Sequence, residues 1–362
     1  MEQKPRIIAT VINDVVYDQR MIRICTSLSK KYNVSLWGRR KSDAAAEKRP
    51  FKQKRSNFLI KSGPLFYMMY NIRLFFRLLF TKFDIVHAVD LDTLLAGFLA
   101  ARIKGKHIVY DSHEYFTEVP ELLKREHVRN IWLRIERWIV PKLHYAITVG
   151  SKIAEVYTKE YEVSFHVVRN CPELDENFEI VTEPGDYLIY QGALNKGRGI
   201  ENLILAMREV DFNLKIAGSG DIEESLKLLV KEHNLENKVS FLGLIKPADL
   251  KEITTHAYAG INVSENLGLS YYYSLNNKYF DYIHAAIPAV TNAFPEYEKL
   301  NNEFDCCVFS DSSPKELVKA IKLLIDDKAR YAELKKNCLL ARQVLNWQSE
   351  EKELLSIYAN IT

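Results

Sequence analysis

The sequence predicts an α/β protein of two Rossmann-like domains, each a doubly wound parallel sheet, that face each other across a cleft. Short apolar runs alternate with helical patterns along the whole chain, which is typical of parallel α/β sheets. At 362 residues the chain exceeds the size at which a single hydrophobic core stops growing. The polar, proline-containing segment 169–177 lies between two sets of apolar runs and predicts the domain boundary.

Six strands are predicted in each domain. Those of the first domain are Ile7–Ile12, Val34–Trp37, Ile85–Ala88, His107–Tyr110, Ala146–Val149 and His166–Val168. Those of the second are Tyr187–Tyr190, Leu214–Ala217, Val239–Leu242, Gly260–Val263, Ala289–Thr291 and Cys307–Phe309. We therefore expect a first domain over 1–169, a second domain over 170–345, and a C-terminal helix over 346–362 that packs back on the first domain.

Composition limits the class of protein. Hydrophobic residues make up 47% of the chain and charged residues 27%, as in soluble globular proteins. The five cysteines are scattered without a C-x-x-C pair, which argues against structural zinc and for a reducing compartment. The first residues resemble neither a signal peptide nor a membrane span, so a cytoplasmic location is expected.

Charge is divided unevenly between the two halves. Residues 1–170 carry 30 Lys and Arg against 17 Asp and Glu, whereas the remainder carries 20 against 30. Nine of the basic residues fall within 39–61, and an apolar, aromatic segment over 65–80 follows, too short and too charged to span a bilayer.

Two interpretations of residues 39–80 stay open. One is a solvated basic loop followed by a core-facing helix; the other is attachment to an anionic membrane surface, peripheral on the inner face of the cytoplasmic membrane. Nucleic-acid binding is not expected, because no recognised motif accompanies the charge and the acidic second half would repel a polyanion.

Ligands of doubly wound sheets bind at the carboxyl ends of strands, so the segments after strands hold the candidate site residues. The first strand is followed by Asp14, Asp18 and Arg20, with Asp18 a predicted helix N-cap. The fourth strand is followed by Asp111-Ser112-His113-Glu114. A histidine beside two carboxylates at such a position is a site candidate.

In the second domain the first strand leads into a loop, Gly192–Gly199, that contains Lys196 and Arg198. Glycine allows close backbone approach, and the two cations next to a helix N-terminus suit a diphosphate. The spacing is not that of a Walker loop. The turn Gly218-Ser219-Gly220 follows the next strand, and Glu265 follows a later one.

Residues 274–290 read as a polar loop, an amphipathic helix and the start of a buried strand. Asn277, Lys278 and Asp281 are predicted on the solvent-side face near the helix start. There they could hold phosphate oxygens and ribose hydroxyls. A capped surface helix with a Lys278 to Asp281 ion pair is the alternative.

These motifs resemble the GT-B-fold glycosyltransferases of the retaining family 4 over nearly the whole chain. Four segments carry the resemblance. Gly192 with Arg198-Gly199 resembles the family's phosphate loop, and Glu265–Leu269 resembles the first half of its Glu-x7-Glu element. Asn277–Val290 resembles its donor-sugar helix, and Tyr110–Glu114 resembles the segment with its active-site histidine.

The resemblance implies a metal-independent hexosyltransferase-type enzyme without a cofactor. Its co-substrate would be a UDP- or GDP-linked sugar, and its acceptor a glycan or lipid-linked glycan of cell-surface polysaccharide or glycoconjugate synthesis. The catalytic residues would be His113, Glu265 and Arg198. In the second domain, the donor-binding residues would be Gly192, Lys196, Arg198, Gly218, Gly220, Glu265, Asn277, Lys278 and Asp281. The acceptor would bind the first domain, on the side that holds Asp14, Asp18, Arg20 and Glu114.

Two features depart from the family pattern or could mislead. Ala193 stands where the family usually has a phosphate-binding arginine, so Lys196 or Lys278 would have to supply that charge. The triplet Asp90-Leu91-Asp92 looks like a D-x-D metal site, but it begins an apolar helix after a strand, so helix capping is predicted and no metal. A sugar-nucleotide epimerase and a catalytically silent glycan-binding or scaffolding relative remain as alternatives.

Overall fold

In a computed structural model, which describes residues 4–183 and 185–361, the chain divides into two compact units. Unit 1 comprises the residues up to Arg169 together with those from Glu350 onward, and unit 2 comprises Asn170–Ser349. Each unit contains one parallel sheet with helices packed against it. The predicted fold class, two doubly wound α/β domains, is confirmed.

Strands and helices alternate along unit 1. In chain order they are β1 Arg6–Thr10, α1 Gln19–Ser29, β2 Asn33–Arg39, β3 Lys52–Ser56, α2 Gly63–Leu79, β4 Ile85–Val89, α3 Asp90–Lys104, β5 His107–Ser112, α4 Pro120–Leu123, α5 Glu126–Ile139, β6 Tyr145–Thr148, α6 Ser151–Tyr161 and β7 Phe165–Val167. The sheet order is β3-β2-β1-β4-β5-β6-β7. Because the order reverses between the neighbours β1 and β4, the loops after these strands lie at the switch point where such sheets bind ligands.

Strand β3 corrects the sequence prediction, which placed six strands in this sheet and a solvated loop over the basic residues. It pairs in parallel with β2 at the edge of the sheet. Lys52 and Lys54 are exposed, so the strand carries no apolar alternation that would have revealed it. Charged residues on an edge strand also discourage pairing with other chains.

Helix α2 occupies the apolar segment after the basic residues, as the core-facing interpretation requires. Its buried face consists of Phe66, Tyr70, Leu74 and Leu78. Its outer face is also apolar, and the side chains along it are about half exposed: Leu65, Met68, Ile72 and Phe76. Within the described residues, no helix combines the length and apolar character needed to span a bilayer.

Strands and helices also alternate along unit 2. Its elements are β8 Tyr187–Gln191, α7 Ile200–Ala206, β9 Asn213–Ala217, α8 Glu223–Glu232, β10 Val239–Gly243, α9 Pro247–Thr255, β11 Ala259–Asn262, α10 Leu269–Tyr272, α11 Asn277–His284, β12 Ala289–Thr291, α12 Pro295–Phe304, β13 Cys307–Phe309, α13 Pro314–Asp326 and α14 Lys328–Val344. The sheet order, β10-β9-β8-β11-β12-β13, reverses between β8 and β11. The loops after these two strands therefore lie side by side.

The last helix, α15, spans Trp347–Ala359, and from Glu350 onward the chain belongs to unit 1. The Glu350 carboxylate accepts a hydrogen bond of 2.7 Å from the Arg169 amide, and Lys30 pairs with Glu351 at 2.6 Å. Leu354 and Tyr358 are fully buried. The end of the chain thus contributes apolar and polar groups to the core of unit 1.

Candidate active site

Glycines bring two loops of unit 2 into direct contact. A Cβ on Gly218 would lie 1.9 Å from the carbonyl oxygen of Gly192, and Gly218 has a φ of +142°. A Cβ on Gly220 would lie 2.4 Å from the carbonyl oxygen of Leu194. The turn after β9 therefore supports the loop after β8 from beneath, and only residues without a side chain fit at Gly218 and Gly220.

Lys278 lies in the first turn of α11, and its side chain is buried rather than solvent-facing. Its Nζ lies 3.8 Å from the centroid of the Tyr190 ring, and a Cβ on Gly192 would lie 3.8 Å from the same nitrogen. No hydrogen-bond partner for this Nζ exists among the described residues. Burial, followed by repulsion from Arg198, holds the pKa of Lys278 well below its usual value.

The alternative of an ion pair between Lys278 and Asp281 is wrong, because Asp281 is engaged elsewhere. Gln191 donates from Nε2 to Oδ2 of Asp281 at 2.7 Å, and Oγ1 of Thr254 lies 2.8 Å from Oε1 of the same amide. Gln191 therefore orients the carboxylate one turn into α11.

Arg198 and Glu265 come from the two loops at the switch point. The Glu265 amide donates to the Gly197 carbonyl at 2.9 Å, which joins the loops. The guanidinium carbon of Arg198 lies 4.7 Å from the Tyr271 ring centroid, and its Nε is buried without a partner among the described residues. The Glu265 carboxylate is partly buried and makes no hydrogen bond within the described part of the chain.

The two remaining candidates of unit 2 are exposed. Lys196 lies on the surface of its loop, in contrast to Lys278. Asn277 begins α11 and accepts a hydrogen bond of 2.7 Å from the side chain of Asn170. No side chain caps α11, so its first backbone N–H groups carry the positive end of the helix dipole without a side-chain acceptor.

In unit 1, His113 lies just beyond β5 with its side chain about one-fifth exposed. Its Nε2 lies 3.0 Å from Oδ2 of the fully buried Asp111, and its backbone N–H donates to Oδ1 of Asp90 at 2.9 Å. Burial disfavours the charged imidazole, but the carboxylates of Asp111 and Asp90 outweigh it and raise the pKa of His113 to about 9. His113 is therefore a cation at neutral pH.

The predicted capping role of Asp90 and Asp92 is wrong. No side chain caps α3, and Asp90 uses its carboxylate to hold the His113 amide. Asp90 also has a φ of +52°, a strained conformation for a residue with a side chain. Among the described residues, no group of three or more His, Cys, Asp or Glu side chains is arranged to hold a metal ion.

Comparison with known proteins agrees with this arrangement. A family model described as Glycosyl transferases group 1 matches residues 174–339, and one described as Glycosyltransferase Family 4 matches residues 19–176. The chain belongs to the group 1 glycosyltransferases. No curated protein sequence matches it.

Solved structures share the fold of this glycosyltransferase. Sucrose-phosphate synthase from Thermosynechococcus elongatus is 16% identical with a TM-score of 0.78, over 98% of each chain. Anabaena HepE in complex with UDP and glucose is 15% identical with a TM-score of 0.76, over 98% of this chain and 100% of that one. An E. coli structure named trehalose-6-phosphate, bound with UDP-2-fluoro glucose, is 11% identical with a TM-score of 0.74, over 97% and 98%.

Two residues predicted on the acceptor side of the glycosyltransferase have internal structural partners. Asp14 is buried and accepts hydrogen bonds from the Lys41 and Ser42 amides at 3.0 and 3.1 Å and from Arg55 at 2.6 Å. Burial raises the pKa of Asp14, but these donors outweigh it and lower the pKa to about 2. Arg20 is buried as well and pairs with Asp111.

The other two acceptor-side candidates reach the surface. Asp18 caps α1 by accepting from the Met21 amide at 3.1 Å, as predicted, and is partly exposed. Glu114 is exposed next to His113.

Sequence reasoning missed the orienting roles of two residues. Gln191, at the end of β8, orients Asp281, and Asp111, named only as a neighbour of His113, orients that histidine. Both are polar residues at the carboxyl end of an otherwise apolar strand, which is the signal that could have found them.

Proposed function

We propose that this glycosyltransferase moves a sugar from a nucleoside-diphosphate-sugar to a glycan or lipid-linked glycan of cell-surface synthesis, with retention of anomeric configuration. The observation that carries the donor assignment is the Lys278 side-chain nitrogen, buried without a hydrogen-bond partner among the described residues, beside the Gly192 loop. Holding its charged form there without an anion costs several kcal/mol. An anion that binds there offsets this cost.

The donor diphosphate would lie against the glycine loop, with Lys278, Arg198 and the N-terminus of α11 around it. When the glycosidic bond breaks, negative charge develops on the departing nucleoside diphosphate. Preorganised cations stabilise that charge, typically by a few kcal/mol for each donor group. We propose that these groups take the place of a metal ion.

Asp281 and Glu265 would bind the two ends of the donor. The Asp281 carboxylate, oriented by Gln191, suits the ribose hydroxyls one helical turn from the phosphates. The Glu265 carboxylate has unused acceptor capacity for hydroxyls of the transferred sugar. Anabaena HepE, which shares the fold, is named as a complex with UDP and glucose, and this supports a nucleotide-sugar donor.

For retention we propose front-face attack, in which the departing phosphate takes the proton of the acceptor hydroxyl. The new glycosidic bond forms on the face from which the diphosphate leaves, so the anomeric configuration is kept. His113, as an imidazolium, would donate a hydrogen bond to an oxygen of the reacting sugar. Proton NMR of the first-formed product decides this point, because an inverting enzyme would give the opposite anomer.

The acceptor would reach unit 1 at an anionic membrane surface. The exposed outer face of α2 supplies apolar side chains, and the first half of the chain carries the excess of Lys and Arg. Flotation with anionic vesicles tests this. Changing Met68, Ile72 and Phe76 together to Ser should abolish flotation, whereas Leu228→Ser, an exposed leucine of unit 2, should not. Flotation that does not depend on lipid charge or on these substitutions would refute binding to an anionic membrane surface.

The donor assignment is tested by calorimetric titration of UDP, GDP and ADP in the presence of EDTA. We expect one nucleoside diphosphate to bind with a Kd in the micromolar range without metal. Failure of all three would contradict the proposal, and binding only with Mg²⁺ would contradict its metal independence. Conversion of the donor sugar without an acceptor would identify an epimerase instead.

A further inference from the structure

A buried chain of hydrogen bonds lies behind His113. Oδ1 of Asp111 accepts from Nη2 of Arg20 at 2.9 Å. Oδ2 faces three donors: Nε of Arg20 at 3.3 Å, Nε2 of His87 at 3.2 Å and Nε2 of His113 at 3.0 Å. His87, in β4, continues the chain through Nδ1 to the Tyr358 hydroxyl of α15 at 2.5 Å. Asp111, His87 and Tyr358 are fully buried.

The chemistry of these groups fixes the proton positions. Burial raises the pKa of Asp111, but Arg20 and the two histidines outweigh it and hold the pKa well below its ordinary value. The carboxylate is therefore ionised and can only accept, so both histidines donate from Nε2. With the hydrogen of His87 on Nε2, the Tyr358 hydroxyl donates a hydrogen bond to the Nδ1 lone pair. The tyrosine thus sets the tautomer of His87, which in turn donates to Asp111.

We propose that His87 and Tyr358 are positioning residues for His113. Acting through Asp111, they hold the imidazole ring with Nε2 directed inward, while Nδ1 lies 3.9 Å from Oδ2 of Asp90. The proposal rests on the function proposed above only in giving His113 a role at the reacting sugar. It assigns the last helix of the chain a part in catalysis without contact with substrate.

The charge of His113 depends on groups from four elements. Asp111 faces it from β5 and Asp90 and Asp92 from α3, while Arg20 lies on α1 and His87 on β4. The carboxylates hold His113 protonated below a pKa of about 9, and the charge is lost as the pH rises through that value. Tyr358→Phe leaves Nδ1 of His87 without its donor, so nothing keeps the hydrogen of His87 on Nε2. A shift of that hydrogen to Nδ1 removes a donor from Asp111, the carboxylate that holds His113.

The experiment is nitrogen NMR of the full-length protein with ¹⁵N-labelled histidine, followed against pH and combined with kinetics. In Tyr358→Phe we expect His87 to populate the tautomer with its hydrogen on Nδ1, which the wild type does not. Because Asp111 then loses its donor at Nε2 of His87, the ring of His113 is held less firmly, and kcat should fall at least about fivefold while KM for the donor changes little.

Tyr161→Phe is the matched control, because it removes another buried hydroxyl of unit 1, bonded at 2.6 Å to Glu136, outside this chain of hydrogen bonds. A purely structural role predicts the same result for both variants, and an unchanged tautomer of His87 in Tyr358→Phe would overturn the proposal. If Tyr358→Phe does not fold, the wild-type spectrum decides: His87 protonated on Nε2 alone supports the proposal, and His87 protonated on Nδ1 overturns it. These spectra need no donor or acceptor, so failure of the glycosyltransferase assignment would show separately in the nucleotide titrations.

Discussion

At the scale of single residues, Ala193 is the feature that most clearly separates this chain from the family pattern it resembles. Ala193 removes the usual arginine from the phosphate loop, and two lysines could replace it. The structure distinguishes them, because Lys278 is buried beside Gly192 whereas Lys196 is exposed. A buried cation interacts with an anion in a low effective dielectric, so its contribution is larger than that of a solvated one.

We therefore predict that Lys278→Met weakens nucleoside diphosphate binding at least about tenfold, whereas Lys196→Ala changes it less than about threefold. Methionine fills a similar volume without charge, so folding should be preserved. Isothermal titration calorimetry of both variants measures the difference. Equal losses in the two variants, or a larger loss in Lys196→Ala, would show that the exposed lysine carries the role.

The depressed pKa of Lys278 gives a second prediction. Burial and Arg198 disfavour its charged form in the free protein, and a diphosphate beside it favours that form, so binding should raise the pKa of Lys278. Binding is then accompanied by proton uptake. Titrations in buffers of different ionisation enthalpy, repeated from neutral to alkaline pH, should reveal this uptake in the wild type and none from this position in Lys278→Met. Buffer-independent enthalpies in the wild type would contradict it.

At the scale of secondary-structure elements, the site of unit 2 depends on how closely two strand–loop segments approach each other. The turn after β9 lies under the loop after β8, with the Gly218 Cα next to the Gly192 carbonyl. Leu194 donates its amide to the Ser219 carbonyl at 3.0 Å, which fixes the same approach. The turn thus preorganises the backbone that would contact the diphosphate.

We predict that Gly218→Ala destabilises unit 2 by roughly 3 kcal/mol, because the new methyl group meets backbone at a positive φ. Gly243→Ala is the control: it also has a positive φ, +68°, but a Cβ added there would have no atom within 4 Å, so about 1 kcal/mol is expected. Urea denaturation compares the two. Similar costs would show that backbone strain rather than the close contact dominates at Gly218.

The sequence predicted elements well where burial left a pattern and poorly where it did not. The fully apolar runs of the central strands predicted their positions to within about two residues, as β4 and β12 show. The sequence did not predict strand β3, because an edge strand rich in lysine has no apolar periodicity. Lys278 was placed on the wrong face because a lysine near a helix start reads as solvated, and its burial depends on the tertiary contact with Tyr190.

At the scale of the whole molecule, two units of similar architecture carry different chemistry. Unit 2 presents cations and acceptors suited to a nucleoside diphosphate, and unit 1 presents a histidine held as a cation. The motifs near Gly192, Glu265 and His113 were visible in the sequence. The contacts that orient them were not visible, because His87, Asp111 and Tyr358 meet only when residues 24 to 271 positions apart are brought together.

Unit 1 is built from two separate stretches of the chain, and this gives a further prediction. Because residues from Glu350 onward complete its core, a chain that ends at Ser349 should lose stability in unit 1 and retain it in unit 2. Limited proteolysis followed by mass spectrometry should find cleavage sites concentrated in residues 4–169. Unchanged protection of that region would mean that α15 contributes little to unit 1.

The central claim is that the loops after β8 and β11 and the start of α11 bind a nucleoside diphosphate. Hydrogen–deuterium exchange of the full chain, with and without the nucleotide that binds in the calorimetric panel, tests it most directly. We predict slower exchange in 191–199, 263–268 and 276–281. Protection confined to other segments, or no change at saturating nucleotide, would contradict the account.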